Sequence, residues 1–140
     1  MKSPTKISSK LPLRKQFLIG LLFILIYSSL SAQANLEDIG NTLKQGDAKG
    51  LSAYFDKQID LGFDDKTKFY SKKQAELIIQ NFFSKVEPIS FTNKQSGKSP
   101  ANKAFFILGN MSTSNGMYRV YMLFVMKNGN YLLREIRFEK

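Results

Sequence analysis

Between Gly116 and Met126 the chain reads GMYRVYMLFVM, and both faces of this run are apolar. Read as a strand, it sets Tyr118, Val120, Met122, Phe124 and Met126 on one side. Met117, Tyr121, Leu123 and Val125 fall on the other, with Arg119 among them. Lys103–Thr113 before it and Tyr131–Glu139 after it keep the same period of two, as does Ile89–Asn93 further upstream. Asn128-Gly129 between the last two runs is a strong hairpin signal, because both central residues must tolerate positive φ. Asn115-Gly116 marks the preceding turn. The polar stretch QSGKSPAN (95–102) reads as a loop. The C-terminal half is therefore predicted to be a four-strand antiparallel meander.

Upstream the period changes to that of helices. Ala75, Ile78, Ile79, Phe82, Phe83 and Val86 form one wide apolar stripe. Ser71 with Gln74 makes a capping box at its start, and Pro88 stops it. Leu36, Ile39 and Leu43 predict an earlier helix ended by Gly46. Asp47 caps a short second one carrying Leu51, Tyr54 and Phe55. Ile59, Leu61 and Phe63 alternate in a strand, Asp64-Asp65 turn, and Lys68–Tyr70 gives a further extended piece. This order predicts an α+β domain, with N-terminal helices and one long helix packed on one face of a curved antiparallel sheet.

The first 34 residues have a different character. A basic run precedes FLIGLLFILIYSSL (Phe17–Leu30), and Ala32-Gln33-Ala34 supplies small residues where a signal peptidase reads. The apolar core is shorter than the ~20 residues of a membrane span. We expect cleavage after Ala34 or Ala32, one domain over residues 35–140, and a periplasmic or extracellular location, with membrane contact only during export. Five of the 21 basic residues lie in this leader without a single acid, so half of the formal +10 belongs to export. That removes the argument for a nucleic-acid partner.

The chain has no cysteine and no histidine. Disulfides, thiolate metal sites and the commonest general base are excluded with them. SGKSP (96–100) lacks the earlier glycine and the following helix of a phosphate loop. KAFFIL (103–108) has Ala104 where an RNA-binding sheet motif needs glycine. Asp56, Asp60, Asp64 and Asp65 do not keep calcium-loop spacing and read as solvated turn residues. Asn110-Met111-Ser112 is a sequon only in a eukaryotic secretory pathway. No pair of carboxylates is forced together by spacing, so a hydrolase or isomerase ranks behind a binding or structural module and a small-ligand protein, and no cofactor or metal is expected.

Two arginines stand among apolar neighbours. Arg119 shares a strand face with Tyr121 and Leu123. By simple alternation, Arg134 shares one with Leu132, Ile136 and Phe138. Each either fixes the anionic end of a small ligand or makes an ion pair with Glu76, Glu87 or Glu135. Tyr70, Phe82, Phe83, Phe106 and Tyr121 complete the candidate pocket.

YSKKQAELIIQNFF (70–83), LGNMSTSNGMYRVYMLF (108–124) and YLLREIRFE (131–139) resemble a family of small secreted proteins of Gram-negative bacteria. That family has no assigned function. The order of elements resembles the cone-shaped nuclear-transport-factor-two-like fold of ketosteroid isomerase and scytalone dehydratase. The resemblance implies a pocket inside the cone and a homodimer through the second sheet face. It carries over no catalytic residue, since the acids and histidines of those enzymes have no counterpart here.

Overall fold

A computed structural model describes residues 2–4, 12–14 and 31–140, with side chains placed from Leu36 onward in the last segment. The chain divides into Met1–Asn35 and Leu36–Lys140, and the fold below is that of the second unit. The apolar leader core at 17–30 lies outside the described residues.

The elements run α1 (Ser31–Gln45), α2 (Ala48–Ser52), β1 (Phe55–Phe63), β2 (Lys66–Ser71), α3 (Lys72–Val86), β3 (Pro88–Lys98), β4 (Ala104–Thr113), β5 (Gly116–Lys127) and β6 (Asn130–Glu139). A 3₁₀ turn at Pro100–Asn102 joins β3 to β4. The strands form one six-stranded sheet in the order β2-β1-β6-β5-β4-β3.

Local chemistry sets most boundaries. Ser71 and Gln74 make both halves of the capping box that starts α3. Glu87 ends α3 in the left-handed region, its N–H returning to the Phe83 carbonyl at 2.9 Å. Asp47 caps α2 by accepting from the Gly50 N–H at 2.8 Å. Asn128 and Gly129, at φ 50° and 79°, make the tight turn between β5 and β6.

Ala75, Ile79, Phe83 and Val86 of α3 are buried together with Ile39, Leu43 and Leu51 of the first two helices. All of these except Val86 join one core with the inward residues of the sheet, among them Ile107, Met111, Val120, Met122, Phe124, Leu133, Ile136 and Phe138. Each such side chain contributes about 1.5–3 kcal/mol by leaving water. The apolar side of β5 that carries Val120, Met122 and Phe124 is thus the core side.

Four expectations need correction. The sheet is mixed, because β1 lies beside β6 and runs parallel to it. Turn signals identify only consecutive partners, and β1 and β6 are far apart in sequence. Gln95–Lys98 is strand, paired with Phe105–Leu108 after a bulge at Asn93/Gln95. As an edge strand solvated on both sides it needs no apolar alternation. The short second helix ends at Ser52, and Phe55 already begins β1.

The last correction concerns β6. Leu123 pairs with Glu135 while the adjacent Phe124 pairs with Leu133, so Arg134 is an extra residue in the ladder. The bulge turns Leu133 inward with Ile136 and Phe138. Leu132 and Arg134 do not share their face.

Gly109 of β4 lies under Phe91. A Cβ there would stand 2.7 Å from the Thr92 carbonyl oxygen and strike the Phe91 ring. Gly109→Ala is expected to cost about 1–3 kcal/mol through this overpacking. It would appear as a lower urea midpoint at constant slope. An unchanged midpoint would contradict the packing.

Candidate functional site

The seven candidate pocket residues do not converge. Phe82 and Phe83 face the core. The Phe82 ring centre lies 4.8 Å from Phe138, 4.9 Å from Phe63 and 5.3 Å from Tyr118. Aromatic rings therefore occupy this part of the cone, where a ligand cavity is expected from the sequence. Tyr70, opposite Ile59 on β2, packs half-buried against the same core. Phe106 and Tyr121 lie on the opposite side of the sheet, stacked at 6.4 Å. Arg119 is exposed on that outer side and has no carboxylate within ion-pair distance among the described residues.

Arg134 stands apart from all of these. The β6 bulge brings its Nη1 to 3.5 Å from Asp56 Oδ2, and its guanidinium lies 5.5 Å from the Phe69 ring centre. Its partner is none of the glutamates expected. Glu76 instead accepts from Ser52 Oγ at 2.8 Å and Lys73 Nζ at 3.0 Å. Glu135 pairs with Arg137.

Asp56 is the residue that the sequence conceals. Expected as a solvated turn acid, it is only 3% exposed. β1 is irregular between Phe55 and Asp60 where it meets the β6 bulge, and Asp56 sits in that irregular piece. Its Oδ1 accepts from the Lys57 N–H at 2.7 Å and from Lys127 Nζ at 3.1 Å. Its Oδ2 lies 2.8 Å from Lys127 Nζ. The Lys127 hydrogen bond is the main force holding the Asp56 carboxyl below its ordinary value. Burial opposes it, and the Lys57 N–H and the charges of Lys127 and Arg134 reinforce it. Nothing near Lys127 in sequence announces an acid 71 residues away.

On the outer face, Arg137 is the organising side chain. Its register neighbours are Gly62 on β1 and Tyr121 on β5. The stem crosses the space a Cβ at Gly62 would take, 2.7 Å from Arg137 Cγ. The guanidinium lies 4.8 Å from the Tyr121 ring centre. Its Nε sits 3.0 Å from Glu135 Oε1, close enough for an ion pair although the N–H is not aligned on that oxygen. Nη1 is 3.7 Å from Glu139. Phe106, Leu108, Tyr121, Leu123 and Val125 continue this face as a half-exposed apolar patch. A shallow hollow of about 160 Å³ opens beside Phe106 and Leu123. Among the described residues no group of acids is arranged to hold a metal ion.

The curved sheet under one long helix is the nuclear-transport-factor-two-like cone. A designed protein named for that fold matches it with a TM-score of 0.61 at 19% identity, over 77% of this chain and 96% of its own. Residues 36–139 match the domain of unknown function DUF4783, and the chain belongs to that family. It is similar to a crystal structure of a member from Bacteroides uniformis, with 29% identity and a TM-score of 0.70 over 74% of this chain and 94% of that one. It is also similar to one from Bacteroides ovatus, with 27% identity and a TM-score of 0.71 over 74% and 92%. No curated protein matches the chain.

Asp56→Asn is expected to cost about 1.5–3 kcal/mol at neutral pH, the worth of a charge-assisted hydrogen bond. A carboxyl with a lowered folded pKa adds stability above its unfolded value, 3.8, and loses it as pH falls through the folded one. The gap between the two proteins should therefore close below about pH 4. A gap that persists or widens in acid would contradict the ion cluster.

Proposed function

We propose that residues 35–140 are an exported, non-enzymatic binding module that pairs with a second copy of itself through the outer face of β4, β5 and β6. The outer patch carries this reading. Five half-buried apolar side chains stand together on one sheet face without full cover, and such patches mark interaction surfaces. A second copy suits the patch better than an unrelated partner. Its charged border holds Arg119 and Arg137 beside Glu135 and Glu139 on the same sheet face. In a two-fold contact a patch meets itself, so a border carrying both signs is self-complementary.

The non-enzymatic part is supported by the lack of histidine and by the cations that hold Asp56 ionised. Export is supported by the basic run, apolar core and Ala32-Gln33-Ala34 of the first 34 residues.

Light scattering on the purified protein at roughly tens of micromolar should give twice the protomer mass. Leu123→Glu, a change on the half-exposed face, should return it to the protomer mass with its circular dichroism unchanged. A wild-type protein that is monomeric under these conditions would overturn the reading. Export has its own readout. Intact-mass analysis of the periplasmic fraction should find a chain beginning at Asn35 or Gln33, and a mature chain that keeps Met1 would contradict it.

A further inference from the structure

A second feature lies beside Asp56. A hollow of about 400 Å³ opens there, lined by Lys57, Lys72, Lys127, Asn128 and Asn130 around the Asp56 carboxylate, with Phe55 and Leu132 as its apolar part. We propose that this hollow binds a phosphate-bearing ligand, with Lys57 and Lys72 as the principal cations and Lys127 and the two asparagines as supporting donors.

The charge balance is the first argument. The one carboxylate in the lining is already satisfied by the Lys57 N–H and the Lys127 ammonium, and Arg134 stands behind it. Asp56 thus positions Lys127 at the wall and does not neutralise the others. Lys57 and Lys72 have no carboxylate within ion-pair distance among the described residues.

The second argument is where Lys72 stands. It is the first residue of α3, and the first turn of that helix contains no acid. A cation at the positive end of a helix is opposed by the macrodipole, where an acid would be favoured. Lys73 beside it is paired with Glu76, whereas Lys72 is left facing the hollow. A bound anion would offset this conflict by pairing with the Lys72 ammonium that lines the hollow.

The donor set selects the chemistry. Three ammonium groups are flexible point charges, which suit the several oxygens of a phosphoryl group. The volume exceeds what inorganic phosphate needs, so the phosphoryl group belongs to a larger molecule, either a free phosphate ester or a phospholipid headgroup.

Calorimetric titration of the purified exported protein tests this. One arm uses inorganic phosphate, and the other uses phosphatidylglycerol vesicles diluted in phosphatidylcholine. Lys57→Ala and Lys72→Ala are exposed changes that leave Asp56 and Lys127 paired, and Lys98→Ala on β3 is the control for general basic charge. We expect saturable binding that weakens about tenfold in Lys72→Ala and in Lys57→Ala and is unchanged in Lys98→Ala. Saturation by phosphate in solution supports a free ester. Saturation by vesicles alone, with the same loss in the two variants, supports a headgroup. Absence of saturable binding in both arms would overturn the proposal, as would equal weakening by Lys98→Ala.

Discussion

One extra residue in β6 decides which side chains this sheet buries. With Arg134 bulged out of the ladder, Leu133 joins Ile136 and Phe138 on the core side. Without it, the alternation running back from Phe138 would put Leu132 and Arg134 in the core and expel Leu133. Such a slip would place a charge among apolar neighbours and leave a large apolar residue in water. The bulge is held from the neighbouring segment, because the Leu133 N–H donates to the Tyr54 carbonyl at 2.7 Å. It also delivers Arg134 to Asp56. The same irregularity thus fixes the core, joins β1 to β6 and builds the ion cluster beside the cationic hollow.

The two faces of β5 have different tasks as a result. Val120, Met122 and Phe124 are fully buried in the core. Tyr121, Leu123 and Val125 are half-covered from within the chain, Tyr121 by the Arg137 guanidinium and the Phe106 ring. A guanidinium spread over an aromatic ring shields it from water without filling the face completely. That incomplete cover is what the proposed dimer contact would finish. On the core side, Phe63, Phe82, Phe138 and Tyr118 pack ring against ring inside the cone.

Much of the fold was legible because its determinants are local. The capping box at Ser71, the stripe from Ala75 to Val86 and the Asn128-Gly129 turn each depend on residues a few positions apart. The partner of β1, the strand character of Gln95–Lys98 and the bulge at Arg134 depend on residues distant in sequence, and were missed. The site suffered most. In sequence Arg134 reads as a charge in need of a partner, a glutamate or a ligand; in the structure the acid beside it is Asp56, which simple patterning assigns to solvent. The candidate pocket draws on both sides of the sheet, because both faces of β4 are apolar and alternation alone does not tell which one meets the helix: Phe82 packs on the core side and Phe106 on the outer side.

Amide hydrogen exchange at Leu133 tests most directly whether the β6 bulge is pinned in this way. If the Leu133 N–H is bonded to Tyr54 and sits on the core side, it should exchange only on global unfolding, like the amides of the central strands. Exchange at Leu133 as fast as at the exposed tip residues Asn128 and Gly129 would contradict this account of the fold.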